Sequence, residues 1–326
     1  MLLVEPGRFD WVDVADPSPG PGEVLLRAQF TGICGTDLHI VEGSHPRARL
    51  PLAIGHEMVG VPESGPLVGR QVLVDPLLPC GTCTACESGT PNACAHLRLI
   101  GIDRDGALAG RVAVASERLH PIPPGIPGDL ATLAEPLAVA VHAVRRVPSL
   151  VGRLAVVLGG GPVGLLVAHV ARRGGASVLI AEPIGDRRQL AGDLGFEVLD
   201  DRDPVRDLED RTGGQLADVA FDAAAVPVVA ALLHRVVRPG GYVAIVGAYS
   251  RPSPIDLQAV MFKELQIVGH RTYLPADIDA ALRLLVDDQR VVSRLHTATV
   301  APADIGKMIA KLRAGQGMKY VVQVMP

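Results

Sequence analysis

Four of the five cysteines are spaced as Cys80-x2-Cys83-x2-Cys86-x7-Cys94 in a stretch rich in Pro and Gly. Thiolates this close in sequence can wrap one tetrahedral Zn²⁺, which would staple a loop that has no apolar core of its own. Four sulfur ligands leave no open coordination position, so this zinc is expected to be structural. The fifth cysteine, Cys34, stands in GICGTDLH, and 22 residues later comes Gly55-His56-Glu57. One thiol, one imidazole and nearby carboxylates are the donor types of a catalytic zinc that keeps three protein ligands and an exchangeable water. Glu135 adds a further acid, at the expected N-terminus of a helix, where the helix dipole keeps a carboxylate ionised.

A second chemical motif lies downstream. Gly159-Gly160-Gly161-Pro162-Val163-Gly164 fits G-x-G-x-x-G, directly after the apolar run LAVVL and at the start of VGLLVAHVARR. Gly159 permits the tight turn, Gly161 lets the backbone approach a pyrophosphate, and Gly164 lets helix pack on strand. Pro162 and Val163 open the helix whose N-terminus faces the anion. Glu182 ends the next apolar run 18 residues after Gly164, where a carboxylate meets the adenosine ribose hydroxyls. A carboxylate there repels a 2′-phosphate, so NAD is the expected dinucleotide. Arg187 and Arg188 follow closely enough to offset that repulsion by turning inward.

These residues need elements to hold them. From Val24 to Ala113 short apolar runs alternate with Gly, Pro and Asp, which reads as a β-rich domain with irregular loops. PIPPGIPGD then breaks the pattern, and apolar residues at helical spacing predict a short helix ending near Glu135 and a second starting at Pro136. After Gly152, strands alternate with helices (LAVVLG, SVLIAE, DVAFDAA and YVAIVGAY among the strands, VVAALLHRVV among the helices), which implies βαβ units and a parallel sheet. Helices around Asp277–Asp287 and Asp304–Ala314 and a last strand, YVVQV, close the chain.

Composition narrows the function. The 326 residues, 48% hydrophobic and 20% charged, are enough for two domains. Thirty-one Lys and Arg against 35 Asp and Glu give a net charge of −4, so no basic field recruits nucleic acid or an anionic membrane. The uncharged stretch Leu154–Ala171 is broken by the glycine turn and reads as strand, turn and helix rather than a membrane span. No secretory signal is evident at the start, so a cytoplasmic protein with reduced thiols is expected. Only four basic residues are lysines, at positions 263, 307, 311 and 319, which reads as coding bias without chemical meaning.

GICGTDLH, GHE, the four-cysteine segment, LAEPLAVAVHA and LGGGPVG, in this order, resemble the zinc-dependent medium-chain dehydrogenases, and among them the sorbitol, butanediol and threonine dehydrogenase branch. The resemblance implies an α/β fold: a doubly wound Rossmann parallel sheet at 151–273, and a β-rich GroES-like catalytic domain built from 1–150 and completed by a return segment at 274–326. It places Cys34 and His56 as catalytic zinc ligands. Glu57 and Glu135 match the two acids that share the third-ligand and water-binding roles, and which of them binds directly stays open. Thr36 and His39 match the hydroxyl and imidazole of a proton relay, with Asp37 an acid behind the ligands. NAD, two Zn²⁺ per chain, a small-molecule alcohol or ketone substrate and a homodimer or homotetramer follow from the same resemblance. The expected reaction oxidises a secondary alcohol (a polyol, aminocyclitol, vicinal diol or amino alcohol) to a ketone by hydride transfer. Two competing readings are a zinc-free NADPH-dependent medium-chain reductase and a non-catalytic dinucleotide-binding protein; neither needs Cys34, His56 and Glu135 together. The chain departs from the family between Gly60 and Val72, where GVPESGPLVGRQV is shorter than the usual hairpin and Gly69-Arg70-Gln71-Val72 replaces Gly-Asp-Arg-Val.

Overall fold

Alternation of apolar and polar residues produces the main strand of the first half: in Glu23–Gly32, Val24, Leu26 and Ala28 turn inward and are buried. The computed structural model describes Met1–Met325 and divides the chain into two compact units. One comprises Met1–Glu135 and the chain from Leu274 onward, the other Pro136–Tyr273. The helix Ala134–Arg145, read from the sequence as part of the 1–150 segment, thus belongs from Pro136 onward to the second unit.

The first unit is built on a seven-stranded mixed sheet. Glu23–Gly32 is its hub, pairing antiparallel with Glu57–Pro62, Arg111–Ala115 and the C-terminal strand Lys319–Gln323. Met58, Val72, Val74, Val112 and Val114 pack with Val24 and Leu26 into its core. The shortened segment still makes a hairpin, with Val59 opposite Leu73 and Gly60 opposite Val72. In the last strand Val321 stands opposite Gly32, and Gly32 stands opposite Glu57 on its other side. That register carries the C-terminal segment to the end of the strand from which Cys34 emerges.

One helix boundary differs from the sequence expectation. The short helix is Gly128–Ala131, and the next begins at Ala134, not Pro136. Pro136 is accommodated because amide groups in a first helical turn have no intrahelical acceptor to lose.

The second unit carries a six-stranded, wholly parallel sheet in the order Glu197–Val198, Ser177–Ala181, Leu154–Leu158, Ala217–Asp222, Val237–Ile245, Gln266–Gly269. The strand order reverses direction between Leu154–Leu158 and Ala217–Asp222, the switch point at which open α/β sheets bind ligands. Near-continuous burial of the central strands explains their unbroken apolar sequence. VVAALLHRVV forms two short helices, Pro227–Ala230 and Leu233–Val236, rather than one. Among the described residues no helix is long and apolar enough to cross a membrane.

Candidate active site and metal centres

Cys34 is the N-cap of the helix Gly35–Val41. Its backbone N–H donates to Asp37 Oδ2 at 2.8 Å, and the Asp37 N–H donates back to the Cys34 carbonyl at 3.1 Å. This reciprocal cap fixes the backbone that carries the thiol. The second Asp37 oxygen, Oδ1, lies 3.5 Å from His56 Nδ1, and neither atom has a hydrogen-bond partner closer than that. Asp37 thereby favours a proton on Nδ1 and leaves the other ring nitrogen for a metal. Burial lowers the His56 pKa, but the Asp37 carboxylate, with Cys34, outweighs it and raises the imidazole well above its ordinary value.

Ligand atoms of Cys34, His56 and Glu57 all lie within 4.8 Å of one another. Gly32 makes room for this arrangement, since a Cβ there would stand 2.1 Å from Glu57 Oε2. A thiol, an imidazole and a carboxylate converging in a largely buried spot, with a second carboxylate orienting the imidazole, suit zinc with an open fourth position. Glu135 is not one of the three converging residues. It is the second residue of the helix Ala134–Arg145, is buried, and lies within electrostatic reach of Lys319.

Lys319 is the functional residue the sequence reading passed over. Its ammonium, 3% exposed, donates to both Glu57 oxygens at 2.6 and 2.9 Å and to the Ile33 carbonyl at 3.2 Å. Burial lowers its pKa, yet Glu57 prevails and raises it above the ordinary lysine value. The available signal was its setting: a single charge inside the apolar run Met318-Lys319-Tyr320-Val321-Val322 has to meet a partner.

Thr36 and His39 share one face of the helix Gly35–Val41, three residues apart. Thr36 Oγ1 is 3.8 Å from Cys34 Sγ, at the metal ligand set. His39 is 44% exposed, with Nδ1 3.4 Å from Ser44 Oγ and 3.9 Å from Glu42 Oε2. One end of the pair therefore faces the ligands and the other faces water.

The four remaining cysteines converge as well. Cys80 and Cys94 Sγ are 3.5 Å apart and Cys83 and Cys86 Sγ 3.6 Å apart, too far for disulfides. Those spacings approach the about 3.8 Å edge of a tetrahedron with Zn–S bonds of about 2.3 Å. Backbone amides donate to Cys94 Sγ from Cys80 and His96, both at 3.3 Å. Amide donation from Thr82 is the main reason the Cys80 thiol is pushed down to about 6.

In the second unit the glycine turn follows Leu154–Leu158 and opens the helix Pro162–Arg173, with Gly161 as N-cap and Pro162 in the first turn. Gly159 has φ +103°, and a Cβ on Gly164 would lie 1.8 Å from the Gly159 carbonyl oxygen, so both positions demand glycine. Glu182 is buried next to the turn and accepts the Gly160 N–H at 2.6 Å and the Ile184 N–H at 2.8 Å. The two arginines that follow it separate in role. Arg188 is spent on the Glu182 and Leu199 carbonyls at 3.1 and 2.7 Å, while Arg187 lies by Gly161 with its Nε unpartnered.

Comparison with known proteins agrees with these features. Residues 20–124 match the family Alcohol dehydrogenase GroES-like domain, and residues 162–287 match the family Zinc-binding dehydrogenase. The chain is 38% identical over 325 residues to a 2-dehydro-3-deoxy-L-galactonate 5-dehydrogenase of Pseudoalteromonas atlantica, covering 97% of this chain and 95% of the relative. It is 31% identical to a sorbitol dehydrogenase of Halalkalibacterium halodurans, over 97% and 96% of the two chains. An alcohol dehydrogenase of Escherichia coli CFT073, solved as a complex with NADH, superposes with a TM-score of 0.90 at 25% identity over 99% and 98% of the two chains. With two halves of one fold, two sets of converging metal donors and near full-length relatives in agreement, the chain belongs to the zinc-dependent medium-chain alcohol dehydrogenase family.

Proposed function

We propose that this dehydrogenase oxidises a secondary alcohol on a polyhydroxylated carbon chain, a polyol or sugar acid, to the ketone, using NAD and a zinc held by Cys34, His56 and Glu57. The observation that carries the reading is the convergence of those three side chains, with His56 and Glu57 buried, Cys34 partly buried, and Asp37 and Lys319 behind them. When bound, zinc and NAD supply the Lewis acidity that makes a substrate hydroxyl acidic near neutral pH and the acceptor for its hydride. Asp37 holds the His56 ring in the ligating tautomer, and Lys319 is the counter-ion that balances the buried Glu57 carboxylate. Thr36 Oγ1 accepts the hydroxyl proton as it gives up its own, and His39, with its exposed ring, is the group that exchanges a proton with solvent. Glu135, buried in the first turn of its helix and within electrostatic reach of Lys319, is the alternative acid for the third-ligand and water-binding roles. Gly159, Gly161, Pro162, Val163 and Gly164 bind the pyrophosphate. Glu182 accepts the adenosine ribose hydroxyls, which favours NAD, with Arg187 at the same ribose.

The four-cysteine lobe holds the second, structural zinc. The polyol and sugar-acid class is supported by the substrates in the names of the two curated relatives, both polyhydroxylated. A site with carboxylate ligands can also satisfy neighbouring hydroxyls that an apolar slot would leave unpaired. A homodimer or homotetramer is supported by the edge strand Gln266–Gly269 and the nearby Leu257, Met261 and Phe262, which are 75%, 62% and 72% exposed. Five free cysteines, with no disulfide among the described residues, support a cytoplasmic setting. The test is NADH formation across sorbitol, other polyols, aldonates, butanediol, threonine and primary alcohols. Turnover of polyols or aldonates is expected; turnover confined to unbranched primary alcohols would refute the substrate class.

A further inference from the structure

The polarity of a bound dinucleotide can be read from the second unit. Glu182 ends Ser177–Ala181, on one side of the strand that carries the glycine turn, so the adenosine half lies over that side. The nicotinamide half, joined through the pyrophosphate, must then extend over the carboxyl ends of Ala217–Asp222 and Val237–Ile245.

One fully buried residue organises those ends. Asp222 Oδ1 accepts the N–H groups of Ala224 and Ala225 at 3.1 and 3.0 Å. Its main-chain carbonyl accepts Val246 and Gly247, both at 2.9 Å. Its remaining oxygen, Oδ2, accepts the Tyr249 hydroxyl at 2.5 Å. The loops so joined are tightly fitted. Ala225 is held at φ +52°, a Cβ on Gly247 would lie 2.7 Å from the Ala225 Cβ, and a Cβ on Gly159 would lie 3.0 Å from Ala224. Strained backbone of this kind persists only where its surroundings impose it. Burial, followed by the Asp222 carboxylate, pushes the Tyr249 phenol up, so its hydroxyl stays protonated and donates.

We propose that the Tyr249–Asp222 hydrogen bond is a positioning latch for the nicotinamide half of the dinucleotide: it clamps the loop after Val237–Ile245 onto the loop after Ala217–Asp222 and fixes the backbone groups facing the nicotinamide ring. Tyr249 is a positioning residue, acting through the loop that carries it. The inference rests on the dinucleotide reading above, and the two can be told apart.

The experiment is calorimetric titration of wild type and Tyr249→Phe with NAD⁺ and with ADP-ribose, which lacks the nicotinamide, alongside steady-state kinetics. The expected result is NAD⁺ affinity and KM weakened about tenfold, the order of one charge-assisted hydrogen bond, with ADP-ribose binding changed by less than about twofold. Retained ADP-ribose binding doubles as the check that the variant is folded. Equal weakening of both ligands, or unchanged NAD⁺ binding, would overturn the latch and leave the dinucleotide reading standing. A wild-type chain that binds neither ligand would overturn both.

Discussion

Replacing Lys319 with methionine keeps the length and most of the apolar stem of the side chain and removes only the charge. In the folded chain that charge is 3% exposed and donates to both oxygens of Glu57, itself fully buried. Removing one partner of a buried ion pair costs about 3–5 kcal/mol, because the other charge is left without compensation. That full cost is expected in metal-free protein. In zinc-loaded protein Glu57 still meets a cation, and the lysine no longer competes for the carboxylate or repels the ion, so the cost is smaller. By linkage, a difference of about 2 kcal/mol between the two forms corresponds to zinc held roughly thirtyfold more tightly by the variant. Since the folded Lys319 pKa is raised, the pair's stabilisation is complete below the lysine range and lost only as pH rises through the folded value. The penalty is therefore flat between about pH 6 and 9. Denaturant unfolding of both proteins with and without chelator, and zinc competition against a chromophoric chelator, measure these quantities. A metal-free penalty below about 1 kcal/mol, or equal penalties in both forms, would refute the reasoning.

Other expectations follow from the same geometry. Wild type should favour NAD over NADP by about ten- to hundredfold in kcat/KM, and Glu182→Ala should erase most of that preference; equal values in wild type would remove the role given to Glu182. Thr36→Val should lower kcat by about a hundredfold or more, whereas His39→Gln should lower it modestly and shift its pH profile, and an unshifted profile would make His39 a bystander. Gly164→Ala places a Cβ 1.8 Å from the Gly159 carbonyl oxygen, so it should abolish measurable NAD⁺ binding and lower stability by about 1–3 kcal/mol, as followed by titration and melting; a normal Kd would mean the turn is not the phosphate site.

The parts of this protein that were legible in its sequence are those whose chemistry is local. The four cysteines fall within 15 residues of chain, and the glycine turn carries its strand and helix on either side, so spacing alone was informative. Cys34 and His56 stood out in the sequence because few residue types bind zinc, and the fold brings the two together. Glu57 and Glu135 could not be separated as ligands, because that depends on which strand faces which; the pairing of Gly32 with Glu57 brings Glu57 to Cys34 and His56. Lys319 was missed for the same reason at longer range, since it meets Glu57 across 262 residues through the register of the last strand. Arg187 and Arg188 look alike in sequence and diverge only because one finds two carbonyls within the fold. The helix start at Ala134 rather than Pro136 reflects a proline that terminates a helix in its interior but not in its first turn.

Zinc analysis of the wild type and of Cys34→Ser, both purified without chelator, tests the central claim most directly. Two groups of converging donors predict about two zinc ions per wild-type chain. The variant should hold about one, in the four-cysteine lobe, with its fold retained and its NAD-linked alcohol oxidation gone. One zinc in fully active wild type, or two zinc ions and undiminished activity in Cys34→Ser, would contradict the account.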